Sequence, residues 1–149
     1  MAIHYKVCID CRNPHRLADF WAKALGFVIE DNSALIQQLL NEGVVGTAQV
    51  IRIDGRYAWR QAAAIRDPDG PVDPVSGIGH GRRILFQAVP EPKTGKNRMH
   101  LDLHVGEERI DAEVERLRKL GANVVGERRQ GPNRWVTMTD PEGNEFCVA

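Results

Sequence analysis

The chain has 149 residues, of which 42% are hydrophobic and 27% charged, a composition typical of one globular domain. Twenty Lys and Arg residues balance twenty Asp and Glu residues, so the basic excess needed for general nucleic-acid or membrane-surface binding is missing. No stretch has the roughly 20 apolar residues of a membrane span, and polar residues interrupt the start where a secretion signal is apolar. With three cysteines and no disulfide framework, a cytoplasmic protein is expected.

The first elements of the chain are a strand and a helix. Residues 4–11 alternate polar and apolar side chains, which predicts a half-buried strand with Lys6 and Asp10 on one face. Asn13 is suited to cap the helix that follows, and Gly26 is suited to end it in the left-handed conformation.

The same order returns in the second half. Residues 99–105 alternate again, and an amphipathic helix then ends at Gly121. Lys6 and His100 lie 94 positions apart, and Gly26 and Gly121 lie 95 apart. A strand and helix repeated at a nearly constant offset indicate an internal duplication.

Further strands are predicted in both halves, each pair separated by a turn of the DP(D/E)G type. The predicted strands cover residues 63–66, 82–89, 135–139 and 145–148. The first half also carries an extra segment, 33–43, which is predicted to be a helix capped by Ser33 and ended by Gly43. It is expected to cover a pocket or to extend an interface.

Three stretches of the chain resemble the vicinal-oxygen-chelate superfamily of glyoxalases, extradiol dioxygenases and bleomycin-resistance proteins. They are NPHRLADFWAKALGF, NRMHLDLHV with its following helix, and the closing DPEGNEFCV. The resemblance implies an α+β fold in which two βαβββ modules form a curved mixed sheet around a cavity, with helices outside. We expect one domain over 1–149, with modules at about 1–90 and 98–149.

The resemblance also implies four inward positions that hold a metal ion in metal-binding members. Here they are Lys6, Gln87, His100 and Cys147. An ammonium group repels a divalent ion and a thiol is a soft ligand, so the set suits Mg²⁺ or Mn²⁺ poorly. Zinc would find only two good ligands, one fewer than its usual catalytic set. We therefore do not expect a divalent metal, and any that binds would use Gln87, His100 and Cys147.

The spacing of the polar residues on the strand at 99–105 limits what they can do together. His100 and His104 are four residues apart, roughly 13 Å along a strand, and cannot share one ion. His100 and Asp102 could still bind one metal ion together. The favoured interpretation is that these residues are separate polar groups lining a cavity. Cys8 and Cys11 are three apart and point to opposite faces, so the favoured interpretation is that they form neither a redox nor a zinc motif.

Cys147 allows a catalytic hypothesis. In the implied fold it meets Lys6 and His100, and a neighbouring cation would favour its thiolate as a nucleophile. Lys6 would then replace the metal as an electrophile, while His100 or Cys147 moves a proton. The competing interpretation is a polar pocket that only binds.

The favoured function is that of a glyoxalase-like small-molecule-binding protein of unknown ligand, and whether it is an enzyme is left open. The alternatives are a metal-dependent lyase, isomerase or dioxygenase, and a metal-independent enzyme using Lys6, His100 and Cys147. A homodimer is compatible with all three, while nucleic-acid and membrane partners are not expected. The remaining ligand-binding candidates are Asp10, Gln87, Asp102, His104, Trp135 and Glu145.

Overall fold

The computed structural model describes residues 1–149. Contacts within the chain divide it into two compact units, Met1–Glu91 and Pro92–Ala149. None of the helices is both long and apolar enough to cross a membrane.

Unit 1 contains a four-stranded mixed sheet and two helices. Its elements are β1 (Val7–Cys11), α1 (Pro14–Leu25), β2 (Val28–Ile29), α2 (Ser33–Asn41), β3 (Val50–Ile53), β4 (Arg56–Trp59), β5 (Ala62–Arg66) and β6 (Arg83–Ala88). The sheet has the order β1-β6-β5-β2, and β3 and β4 form a separate hairpin. β1 runs parallel to β6, whereas β5 is antiparallel to both of its neighbours.

The core of unit 1 lies between α1 and the sheet. The Asn13 side chain accepts a hydrogen bond from the Arg16 amide at 3.0 Å, and Gly26 ends the helix at φ 69°. Both helix boundaries are therefore confirmed. Trp21 of α1 and Phe86 of β6 are almost fully buried, as expected where an apolar helix stripe packs on a strand.

The segment after β2 differs in part from its prediction. Ser33 is the first residue of α2, and Asn32 takes the cap position. The Asp31 carboxylate accepts a hydrogen bond from the Ser33 amide at 2.9 Å, so the polar group that binds this helix end lies two residues earlier than predicted. Gly43 follows the helix with φ 70°, in the left-handed conformation expected of a stop.

A buried ion pair holds the long connection between β5 and β6. The carboxylate of Glu30 is fully buried and binds the Arg83 guanidinium through both oxygens, at 2.6 and 2.8 Å. The same carboxylate accepts a hydrogen bond from the Gly79 amide at 2.8 Å. Glu30 therefore fixes the end of this connection to the sheet. The cost of burying its negative charge is offset by the Arg83 guanidinium and the Gly79 amide.

Unit 2 repeats the strand order of unit 1 without the inserted helix and hairpin. Its elements are β7 (Asp102–Leu103), α3 (Ile110–Leu120), β8 (Asn123–Gln130), β9 (Asn133–Thr139) and β10 (Glu145–Val148). The sheet order is β7-β10-β9-β8, with β7 parallel to β10. In both units the first strand lies beside the last, so the duplication inferred from the sequence is present in the topology.

Two strands are shorter than predicted. β1 begins at Val7 instead of residue 4, and β7 covers only Asp102–Leu103 of the predicted 99–105. The backbone around β7 is nevertheless bonded to the C-terminal strand, since the Cys147 amide donates to Leu101 and the Val105 amide donates to Ala149. The alternating pattern thus marks an extended segment of which only the centre forms a regular strand.

Candidate functional site

The candidate site is a cleft of about 1080 Å³ on unit 2. Polar side chains from all four strands of that sheet and from the segment before β7 line it, together with one aromatic side chain. Its lining includes His100, Asp102, Trp135, Thr137, Glu145 and Cys147.

The strand register explains why these residues meet. Cys147 of β10 pairs directly with Asp102 of β7 on one side and with Thr137 of β9 on the other. His100 and Glu145 lie two residues before Asp102 and Cys147, so they point to the same face of the sheet. The alternate residues of β10, Phe146 and Val148, are buried, as expected for the opposite face.

A compact polar cluster lies at the centre of this face. His100 Nδ1 and Asp102 Oδ1 are 3.0 Å apart, and Thr137 Oγ1 is 3.7 Å from Cys147 Sγ. Asp102 is the register partner of Cys147 on the neighbouring strand. One potential ligand atom from each of His100, Asp102 and Cys147 can be chosen so that all lie within 4.8 Å of one another.

The environment of Cys147 disfavours ionisation of its thiol. Burial is the largest cause that raises the pKa of Cys147, and the Asp102 carboxylate raises it further. The Thr137 hydroxyl and the charge of Lys96 lower the pKa but do not reverse the shift. The residues of unit 2 therefore oppose the activated thiolate that the catalytic hypothesis needs.

Glu145 lines the same cleft, but its oxygens are already bonded. Lys93 Nζ lies 3.0 Å from Oε1, and the Asn97 amide donates to Oε2 at 2.9 Å. Burial is the largest single influence and raises the pKa of Glu145, but the hydrogen bonds from the Asn97 amide, Lys93 and the Glu145 amide, together with the Lys93 charge, bring the pKa below its ordinary value. The carboxylate ties the segment before β7 to β10, which leaves it less able to bind a ligand than the sequence suggested.

Two cations in the cleft remain open to an anion. Lys96 and Arg128 line it, and neither forms an ion pair; their recorded hydrogen bonds go to backbone carbonyls. Arg134 also lines the cleft but is bound to Asp111 and Glu127. The positive charge available to a ligand therefore comes from Lys96 and Arg128.

The candidates of unit 1 lie on the exposed side of its sheet. Lys6 is an exposed residue just before β1. Asp10 pairs with Gln87 across the parallel strands, and the Cys8 thiol lies 3.8 Å from Gln87 Oε1. Cys11 is buried on the other side, so the two cysteines occupy different faces as expected.

Within unit 2, His104 and Trp135 line the cleft with the central cluster. Sequence reasoning did not include Thr137, Lys96 or Arg128 among the site residues. Thr137 alternates with Trp135 along β9, so the period of two could have identified it once Trp135 was chosen. Lys96 lies on the loop before β7, and Arg128 lies on an unpredicted strand where no pattern marked it.

The comparisons with known proteins agree with this architecture. A family model described as "Glyoxalase-like domain" matches residues 6–149. Among proteins of curated function, none is similar enough in sequence to count as a relative.

Several solved structures have a similar fold. A glyoxalase/bleomycin resistance protein/dioxygenase family enzyme from Burkholderia phytofirmans is 15% identical, with TM-score 0.60 and coverage of 96% of this chain and 94% of that chain. Fosfomycin resistance protein FosX from Mesorhizobium loti is 12% identical, with TM-score 0.61 and coverage of 99% and 90%. A mutant FosX from Listeria monocytogenes, complexed with Mn(II) and dihydroxypropylphosphonic acid, is 12% identical, with TM-score 0.58 and coverage of 99% and 89%. Likeness at this identity concerns the fold alone.

Proposed function

Since the chain belongs to the glyoxalase-like domain family, we propose that it is a small-molecule-binding protein whose ligand occupies the cleft of unit 2. The observation that carries this proposal is the convergence of His100, Asp102 and Cys147 on one face of the sheet. Trp135 lines the same cleft and offers an apolar surface. A few polar groups within a concave, partly aromatic surface are typical of small-molecule sites.

The charges of the cleft favour a ligand with an anionic group. Lys96 and Arg128 have no carboxylate partner, so an anion would be attracted without breaking an existing ion pair. The remaining part of the ligand would meet His100 and Asp102, which can exchange hydrogen bonds with hydroxyl or carbonyl oxygens. A small oxygen-rich anion fits both requirements.

The metal implied by the family pattern does not fit the four carried-over residues. Lys6 is exposed, and an ammonium group has three donors and no lone pair for a metal. Gln87 already accepts a weak hydrogen bond from Cys8, and Cys147 offers sulfur where a hard ion prefers oxygen. We therefore propose that this chain does not use the Mg²⁺ or Mn²⁺ type of site.

One observation favours a second candidate, an enzyme that moves a proton with His100. The Asp102 carboxylate holds His100 through Nδ1 at 3.0 Å, an arrangement that orients an imidazole for proton transfer. The version that uses Lys6 and a Cys147 thiolate is disfavoured, because burial and Asp102 raise the pKa of Cys147.

A thermal-shift experiment with matched ligands tests the binding proposal. Dihydroxypropylphosphonic acid is compared with propanediol, which retains the diol but lacks the anionic group. At about 100 times its Kd a ligand stabilises a protein by about 2.7 kcal/mol, which raises the Tm of a domain this size by about 5–10 °C. We expect such a shift with the phosphonate and little with the diol.

The matched variants are Lys96→Met in the cleft and Lys119→Met on the exposed surface of α3, where Lys119 is 74% exposed. The shift should shrink in the first variant and persist in the second. Equal shifts in both variants, or none with a panel of phosphonates, carboxylates and catechols, would contradict the proposal.

A further inference from the structure

We propose that Glu145 is a positioning residue, whose carboxylate holds residues 93–97 at the cleft so that Lys96 faces the anionic group of the ligand. The segment 93–97 is called the strap below. This inference rests on the proposed function and deepens it, because it assigns the group that keeps one of the two open cations in place.

The strap has no regular structure of its own. Residues 92–101 form neither helix nor strand, and no backbone–backbone hydrogen bond joins residues 92–100 to the rest of unit 2. Within 92–100, only Lys93 and Asn97 are not exposed. A segment with so few backbone bonds opens easily, so its position depends on these two residues.

Both residues are bonded to the same carboxylate on β10. Lys93 Nζ lies 3.0 Å from Glu145 Oε1, and the two side chains are only 18% and 16% exposed. The Asn97 amide donates to Glu145 Oε2 at 2.9 Å. A partly buried ion pair is screened less by salt than an exposed one. Glu145 therefore holds the strap at its first and last residues.

A second attachment lies next to Glu145 in the chain. The Asn97 side chain donates a hydrogen bond to Asn144 Oδ1 at 3.0 Å. Asn144 is held in turn by Asp140, which is 1% exposed and whose carboxylate accepts hydrogen bonds from the Asn144 amide and side chain. The strap is therefore attached to a turn that is fixed by a buried group.

Lys96 lies between the two held ends of the strap. It lines the cleft, and its ammonium donates only to the Asn97 carbonyl, at 3.2 Å. Because the backbone on both sides is fixed, less conformational freedom is lost when Lys96 binds an anion. The negative charge of Glu145 would by itself disfavour an anion. Positioning and charge therefore predict opposite effects on affinity when Glu145 is replaced.

The test compares two substitutions that each remove one negative charge from the cleft. Glu145→Gln weakens the attachment of the strap, whereas Glu107→Gln is the matched control, because Glu107 lines the cleft outside the strap and is 61% exposed. Calorimetric titration with dihydroxypropylphosphonic acid gives the Kd. We expect Glu145→Gln to raise the Kd about tenfold, as when the binding-competent position is occupied about a tenth of the time. Glu107→Gln should leave the Kd unchanged or lower it.

A double-mutant cycle with Lys96→Met distinguishes positioning from general damage to the cleft. If Glu145 acts through Lys96, the two effects on the Kd are not additive, and Glu145→Gln changes little in the Lys96→Met background. Asn97→Ala removes the attachment to Asn144 without changing any charge, and it should also raise the Kd. This variant keeps the test decisive if Glu145→Gln does not fold.

Hydrogen exchange in the ligand-free protein separates this inference from the proposed function. The Asn97 amide should exchange faster in Glu145→Gln than in the parent. Faster exchange in a chain that binds no small anion would refute the proposed function and leave the attachment of the strap standing. If the parent binds the phosphonate, a Kd for Glu145→Gln at or below that of the parent would overturn the inference alone. Additive effects with Lys96→Met, or an equal loss in Glu107→Gln, would also overturn it.

Discussion

Glu145 and Cys147 share one face of β10 but differ in what they can offer a ligand. The Glu145 carboxylate is bonded to Lys93 and Asn97, whereas the Cys147 thiol has a weak hydrogen bond with Thr137, another member of the polar cluster. The first residue therefore supports the structure of the cleft, and the second contributes to its chemistry. Such a distinction depends on partners from distant parts of the chain.

The buried ion pair between Glu30 and Arg83 gives a prediction about the stability of the fold. Arg83→Gln leaves a fully buried carboxylate with no compensating charge, which costs about 3–5 kcal/mol. The neighbouring Arg82→Gln is the control, because Arg82 is 77% exposed and its pair with Asp67 contributes less than about 1 kcal/mol. Urea unfolding measures both, and similar losses in the two variants would contradict the assignment.

Asp73 gives a pH-dependent prediction. Hydrogen bonds from the amide and hydroxyl of Ser76, then from the Val75 amide, hold the pKa of Asp73 below its ordinary value. A carboxylate whose pKa is lower in the folded state stabilises the protein above its unfolded pKa of about 3.9. This stability is lost as pH falls through the folded pKa.

Thermal unfolding of the protein and of Asp73→Ala between neutral pH and about pH 2 checks this linkage. The difference in Tm should be largest above about pH 4 and should narrow as the pH falls below that value. A difference that is constant over the whole range would show that the carboxylate charge is not involved.

Helices were the elements best predicted by the sequence. The ends of α1 and α3 follow from Asn13, Gly26 and Gly121, because capping depends on residues within one turn of the helix. The hairpin of β3 and β4 and the edge strand β8 were not predicted. β8 exposes nearly all of its side chains, so it lacks the alternation by which a half-buried strand is identified.

Gly26, which ends helix α1, gives a prediction about the stability of that helix. Its φ of 69° is left-handed, and nothing lies near the position of an added Cβ, so Gly26→Ala tests the backbone alone. The substitution should destabilise the protein by about 1–2 kcal/mol, and Gly26→Asn should lose less because Asn tolerates this conformation. Chemical denaturation compares the variants, and an alanine variant as stable as the parent would contradict the assigned helix end.

At the scale of the molecule, two units share one strand order but carry different residues at equivalent positions. Lys6 lies just before β1, whereas His100 lies just before β7. The duplication and the family were predictable from the offset and the order of the motifs. The single domain over 1–149 and the homodimer stay predictions.

The site could be predicted only in part. His100, Asp102 and Cys147 were each chosen from the sequence, but their meeting depends on the register between β7 and β10, which are more than 40 residues apart in the chain. The sequence therefore placed Asp102 among separate cavity residues instead of in the central cluster. A one-residue change in strand register would turn every such residue to the other face.

A ¹H–¹⁵N correlation spectrum of the labelled protein, recorded during titration with dihydroxypropylphosphonic acid, locates the bound ligand on the chain. We expect saturable shifts to concentrate in unit 2, at residues 96–104, 128–137 and 145–149. Lys119 and the other residues of the exposed face of α3 should not move. Saturable shifts confined to unit 1, or none in the cleft with any small oxygen-rich anion, would contradict the claim that this cleft binds the ligand.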